Sequence, residues 1–171
     1  MLTKKMADEL NTQINKELFS AYIYLSMAAY SEHIGLKGFA NWFMVQYQEE
    51  TEHAMRFYKY LQDQGAQVKL QAIDQPQTDY KSPADMFEKT LAHEQFVTKS
   101  INALVDLALK ENDHATQIFL QWFVTEQIEE EANDHEILDK LKMIGESGGG
   151  LYMLDKELSA RAFHSELNTE E

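Results

Sequence analysis

Apolar side chains recur at three- and four-residue spacing through four long runs, and the few helix breakers fall between those runs or within a turn of their starts. The first run extends from about Lys4 to His33 with Leu10, Ile14, Ala21, Leu25 and Ala28 on one face, and Gly35 ends it. The second spans Leu36 to Gln64 with Phe39, Phe43, Tyr47, Ala54, Phe57 and Leu61, and Gly65 closes it. Ser82-Pro83 has the form of an N-cap followed by proline in the first turn, and opens a third run through Phe87, Leu91, Val97, Ile101, Leu104 and Ala108. Glu111-Asn112-Asp113 reads as a turn into a fourth run marked by Phe119, Phe123, Ile137 and Leu141. Gly145 and Ser147-Gly148-Gly149-Gly150 then read as a joint leading to a short helical segment from Leu151 to Phe163, with His164–Glu171 a loose polar tail. The predicted domain is therefore 1–163, with 164–171 trailing from it.

Connection lengths choose the topology. Short turns make the first and second helices, and the third and fourth, antiparallel neighbours. Residues 65–82 lack periodicity, yet extended they can reach about 60 Å, whereas a helix of 28 residues is about 42 Å long. The link can thus run the whole length of the bundle and set the second and third helices parallel. The expected fold is all-α: a four-helix bundle with one long crossover and a short fifth helix.

Each of the four stripes is broken near its middle by a polar residue in a core slot. The breaks are Glu17 in the first helix, Glu50 with His53 in the second, Glu94 in the third, and Gln127 with Glu130 in the fourth. Every one lies within about one helical turn of its helix midpoint, so packing brings them into one layer. Unpartnered buried carboxylates are costly, and a shared pair of cations is the natural remedy. Glu50-x-x-His53 places a carboxylate and an imidazole on one face, able to hold one ion. Glu17 can complete that site, Glu94 with Gln127 and Glu130 can make its neighbour, and Glu50 can bridge. Oxygen ligands with one imidazole describe a di-iron carboxylate centre with room for O₂ or water. Glu126, Glu129 and Glu130 crowd like charges on one surface, and Glu49 adjoins Glu50, which suggests a third, more exposed metal position. A solvated acidic face is the alternative for Glu49, Glu126 and Glu129. Tyr24, one turn past Ala21, can hydrogen-bond a ligand or pass an electron, or simply fill the core.

The bland reading of Glu-x-x-His is a common surface pair, and Glu111-Asn112-Asp113-His114 repeats the spacing without matching partners. The shared register of four helices is what separates Glu50 and His53 from it. Trp122 and the methionines read as packing residues, and His33, His93, His114, His135 and His164 as surface or helix-end histidines.

Composition narrows the partners. No cysteine is present, which removes disulfides, thiolate zinc sites and iron–sulfur clusters. A formal charge of −14 opposes nucleic-acid binding and favours cations. No uncharged apolar stretch is long enough to cross a membrane, and the N-terminus lacks the apolar centre of a signal peptide, so a cytoplasmic protein is expected.

With these motifs in place the chain resembles the bacterial non-haem ferritins over nearly its whole length. The resemblance runs from Asn15-Lys16-Glu17-Leu18 through Gln48-Glu49-Glu50-Thr51-Glu52-His53 and His93-Glu94-Gln95 to Trp122-Phe123-Val124-Thr125-Glu126-Gln127-Ile128-Glu129-Glu130-Glu131 and Gly150-Leu151-Tyr152. It implies a first iron site at Glu17, Glu50 and His53, and a second at Glu94, Glu130 and the shared Glu50, with Gln127 beside it. It also implies a third at Glu49, Glu126, Glu129 and Glu130, with Tyr24 adjacent. Bacterioferritins and rubrerythrins differ by a second Glu-x-x-His on the fourth helix, where this chain has Gln127-Ile128-Glu129-Glu130. The bacterioferritin haem ligand would fall at Thr51, so no haem is expected. DNA-protecting mini-ferritins lack the short fifth helix. The implied function is iron storage with ferroxidase activity: two Fe²⁺ ions per centre are oxidised by O₂ or hydrogen peroxide, and ferric mineral accumulates inside a shell of 24 subunits. The alternatives are a metal-buffering or structural bundle without turnover, and a di-iron oxygenase or peroxidase, which usually carries two histidines.

Overall fold

In the computed structural model, which describes residues 2–165, five helices and no strands occur among the described residues. They are α1 (Lys4–His33), α2 (Lys37–Asp63), α3 (Pro83–Glu111), α4 (His114–Ile144) and α5 (Gly148–Leu158). The ends follow the expected chemistry. Thr3 caps α1 by accepting from the Met6 amide, and Ser82 caps α3 by accepting from the Asp85 amide, with Pro83 in the first turn. Gly35 and Gly65, both at positive φ, reverse the chain after α1 and α2, and Asn112 does the same after α3.

Side-chain contacts give the directions of the helices. Moving up α1, Gln13, Ser20, Met27 and Ser31 meet Ser100, His93, Thr90 and Met86 in turn, so α1 and α3 run antiparallel. Moving up α2, Gln46 meets Glu130, Phe57 meets Phe123, and Tyr60 meets Thr116, so α2 and α4 do likewise. Helices α2 and α3 are therefore parallel, as the crossover requires. Residues 64–82 lie along α1, fastened by side chain to backbone bonds. Asn11 donates to the Gln67 carbonyl and accepts from the Lys69 amide, Ser26 donates to Gln77, and Tyr30 donates to Tyr80.

The core divides into two apolar clusters. One contains Met27, Phe39, Trp42, Phe43, Met86, Phe87 and Ile137, and the other Met6, Leu10, Ile14, Phe57, Leu61, Leu120 and Phe123. Between them lies the polar layer. Some stripe positions shift by one residue from expectation: Met27 and Tyr24 are buried in α1 where Leu25 is only half-buried, and Leu120 takes the core slot beside half-buried Phe119.

Helix α5 differs most from expectation. It starts at Gly148, inside the glycine run, because Ser147 accepts from the Gly150 amide and nucleates the first turn. It docks on the start of α2, whose N-cap Leu36 offers no side-chain acceptor. Asp155 of α5 supplies one, accepting from the Gly38 amide at 2.8 Å and the Phe39 amide at 3.1 Å. Gly38 permits this approach: a Cβ there would lie 1.6 Å from the Asp155 carbonyl oxygen. His164, expected in the loose tail, reaches a small cavity over α2, and residues 166–171 lie outside the described residues.

Candidate metal centre

Three of the four interrupted stripes, on α1, α2 and α4, bring ligand atoms together, while Glu94 of α3 lies in the same buried layer but in neither ligand group. Glu17, Glu50, His53, Glu94, Gln127 and Glu130 are all buried, none more than 4 % exposed. Ligand atoms of Glu17, Glu50 and His53 lie within 4.8 Å of one another, as do those of His53, Glu126 and Glu130. His53 stands between the two groups, its Nδ1 3.6 Å from Glu50 and its Nε2 3.9 Å from Glu126. Rings of Trp122 and Phe123 meet its edge at 5.3 and 6.1 Å and fix its plane.

The surrounding side chains hold the carboxyls in place but leave some of their oxygens without partners. Gln13 donates to Glu17 Oε1 at 2.8 Å, and Gln46 donates to Glu130 Oε2 at 2.8 Å. Tyr24 donates to Glu94 Oε1, while Gln127 donates to Glu94 Oε2 at 3.0 Å. No donor from outside the layer reaches Glu17 Oε2 or Glu50 Oε2, which are buried with the two carboxyls against each other. Such oxygens are rare in folded proteins because each forfeits its hydration without replacement. Two of them beside an imidazole fit a divalent cation, and oxygen with a single nitrogen suits iron, manganese or zinc.

Protonation follows burial. Desolvation pushes the Glu17 carboxyl up to about 7, and raises Glu94 as well. Glu50 and Glu130 rise well above the ordinary carboxylate range, first through burial and then through repulsion by Glu94 and other carboxylates of the layer. His53 moves the opposite way: burial, assisted by the charge of Arg56, lowers it to about 3. Its imidazole is consequently neutral near pH 7, the form that binds metals. Burial and the neighbouring carboxylates Glu94, Asp134 and Glu50 keep the Tyr24 phenol protonated and able to donate.

The outer acidic residues divide. Glu126 is half-buried within the second ligand group, whereas Glu129 is exposed and stands outside both groups. Glu49 is paired with Arg161 Nη2 at 2.6 Å. His93, expected at the surface, is instead wedged between α1 and α3, where its Nε2 is 2.7 Å from Ser20 Oγ and burial lowers its pKa to about 4. Trp122, expected to pack, also carries the Arg56 guanidinium over its ring at 3.9 Å.

Among the polar core residues that escape the sequence reading, three bear on the carboxylate layer. Gln13 and Gln46 lie one turn before Glu17 and Glu50 on the same stripes, and that spacing is the signal that could have found them. Asp134, 1 % exposed, continues the α4 stripe Phe123, Gln127, Glu130, Asp134, Ile137. Its Oδ2 has no partner, and burial, then the charge of Glu94, pushes its carboxyl up to about 9.

Fold and site together define a helical bundle whose buried carboxylates and histidine at mid-height could hold metal ions. Residues 7–144 match the Ferritin family, described as the ferritin-like domain. The bacterial non-heme ferritin of Campylobacter jejuni is 46% identical over 156 residues, covering 91% of this chain and 93% of that protein. That of Staphylococcus haemolyticus is 40% identical over 166 residues, covering 97% and 100%. Among solved structures, an open-pore ferritin from the archaeon Archaeoglobus fulgidus superposes with a TM-score of 0.94 at 50% identity, covering 95% of this chain and 100% of that one. An engineered closed form of the Archaeoglobus fulgidus ferritin superposes at 0.95, also at 50% identity, covering 96% and 100%. The chain belongs to the ferritin family.

Proposed function

We propose that this ferritin is a ferroxidase that stores iron. Fe²⁺ is the substrate, and Glu17, Glu50 and His53 hold one ion, with Glu94, Glu130 and the shared Glu50 holding a second. The observation that carries this reading is the convergence of two buried carboxyl oxygens that no outside donor reaches, on Glu17 and Glu50, with the neutral imidazole of His53. Two Fe²⁺ ions supply two electrons, which reduce one O₂ to hydrogen peroxide, or one hydrogen peroxide to water. The chain's own part is positional and protonic. Carboxyls that carry protons in the metal-free layer release them as the ions bind, so charge is exchanged rather than accumulated. Gln127 and Tyr24 hold Glu94 from both oxygens and orient it.

The ferric product then passes inward to a mineral inside a 24-subunit shell, consistent with the family and with the acidic charge of the chain. No helix among the described residues is long and apolar enough to cross a membrane, which accords with a cytoplasmic store. Glu49, Glu126 and Glu130 form a third, outer metal position in this reading, with the exposed Glu129 outside the group, and no haem takes part.

Stopped-flow mixing tests the assignment. Metal-free protein loaded anaerobically with about two Fe²⁺ per chain and exposed to O₂ gives a fast ferric phase that saturates near two or three irons. Glu50→Ala and His53→Ala remove that phase and leave assembly intact. Oxidation no faster than a protein-free control would reduce the centre to a metal-buffering bundle.

A further inference from the structure

The chain beyond α5 follows α2 toward the metal centre and is fastened at successive turns. Asp155 binds the amides of Gly38 and Phe39, and Asn41 Nδ2 donates to the carbonyls of Leu158 and Arg161 at 3.2 and 2.9 Å. The Arg161 guanidinium then lies over the Trp42 ring at 4.6 Å and pairs with Glu49 at 2.6 Å. Two residues on, Phe163 and His164 wall a cavity of about 40 Å³ together with Glu49, Glu52, His53, Trp122 and Glu126. This terminal strap therefore covers the acidic outer edge of the centre.

We propose that Arg161 is the resident cation of that outer position, a tethered guanidinium that a metal ion must displace from Glu49 before binding there. The proposal rests on the metal-centre reading above. Three observations meet at this residue. Glu49, one of the carboxylates of the outer position, is already engaged by a charge-assisted bond. The positive charge of Arg161 also reaches the buried carboxyls of Glu130 and Asp134, so it offsets repulsion across the whole edge. Its other terminal nitrogen, Nη1, is buried without a hydrogen-bond partner, so the guanidinium is incompletely satisfied where it sits. A group held by one strong bond and one ring face, with a buried donor left over, is displaceable in a way that a fully bonded arginine is not. Glu126, Glu130 and His53 meanwhile present ligand atoms within 4.8 Å of one another beside it.

Calorimetric titration of the assembled, metal-free protein with Zn²⁺, which undergoes no redox step, reads the competition directly. In Arg161→Gln the weakest of the three zinc equivalents per chain tightens about tenfold, the equivalent of one charge-assisted bond no longer broken. The two tighter equivalents keep their affinities. Glu49→Gln combined with Arg161→Gln abolishes the gain. Arg161→Lys, which keeps the charge but loses the planar fork and ring stacking, tightens the third equivalent by less than Arg161→Gln, and serves alone should the glutamine variant fail to assemble. A third equivalent of unchanged affinity in both variants overturns the proposal while the centre stands. Absence of any zinc binding in the wild type removes the metal-centre reading and this one with it.

Discussion

Asp134 shows what a single buried carboxylate costs when nothing answers it. One turn beyond Glu130, it has a partnerless oxygen and a pKa pushed to about 9 by burial and then by Glu94, with Arg161 only partly offsetting them. Because its folded pKa lies above its ordinary value of 3.8, ionisation works against the fold as pH rises from there through about 9. Asp134→Asn keeps the shape and removes the ionisation. The variant is expected to stabilise the metal-free protein near neutral pH, because the unfolded aspartate ionises there and the folded one does not, whereas asparagine is neutral in both states. Thermal melts should show the gain widening from pH 6 to 9, and an equal or lower melting temperature at pH 9 would contradict this account of Asp134. Glu50 and His53 are expected to behave differently: on the proposed reading their substitution removes a ligand, so rapid iron oxidation should be lost without a comparable gain in stability.

Helix α5 is held by one carboxylate and one missing methyl. Gly38→Ala would place a Cβ 1.6 Å from the Asp155 carbonyl oxygen, and backbone on both sides leaves little freedom to yield. Overpacking of this kind costs about 1–3 kcal/mol, and here it also withdraws the Asp155 cap from the amides of Gly38 and Phe39. The expected outcome is accelerated proteolysis in the joint after α4, with the four-helix bundle still folded by circular dichroism. Ser82→Ala is a milder case, expected to lower stability by about 1 kcal/mol in denaturant titration through loss of the α3 cap. These two sites also mark how far the sequence could be read. Ser82-Pro83 announces its helix because capping is a local event. Gly38 does not announce α5, since the partner that needs the space lies more than a hundred residues away. The same distinction holds in the centre. Glu17, Glu50, Glu94 and Glu130 are legible because they interrupt apolar stripes at one height, whereas Gln13, Gln46 and Asp134 sit a turn away, where a polar residue looks like solvated surface. The glycines at 148–150 read as a joint because their intrinsic preference opposes a helix, and docking against α2 overrides it.

The whole molecule carries its acidity inward as well as outward, and its stability should depend on pH accordingly. Glu17, Glu50, Glu94, Glu130 and Asp134 all have folded pKa values above their ordinary ones. His53 and His93 lie below theirs, at about 3 and about 4, so their contribution rises with pH only up to the ordinary value of 6.5. Above that the histidines are neutral in both states, and only the carboxyls remain. Over that window the folded chain binds more protons than the unfolded one, and the metal-free protein loses stability by up to about 1.4 kcal/mol per pH unit for each such carboxyl still titrating. Saturating Zn²⁺ replaces those protons and should flatten or reverse the slope. Melting temperatures at about pH 6.5 and about pH 8.5, with and without the ion, check both signs. A metal-free slope that rises with pH would contradict the buried, protonated layer.

The crossover between α2 and α3 is fastened to α1 at three places along its length, through Asn11, Ser26 and Tyr30, so much of the link's track lies on the first half. That asymmetry sets an order of assembly in time. The N-terminal hairpin is the part that leaves the ribosome first, and it must exist before the link has a surface to follow; only then is the second hairpin delivered in the correct direction. Asn11→Ala should therefore slow refolding more than it hastens unfolding, and a change confined to the unfolding rate would show the link settling last. A bundle that is nearly symmetric in space is thus directional in its history.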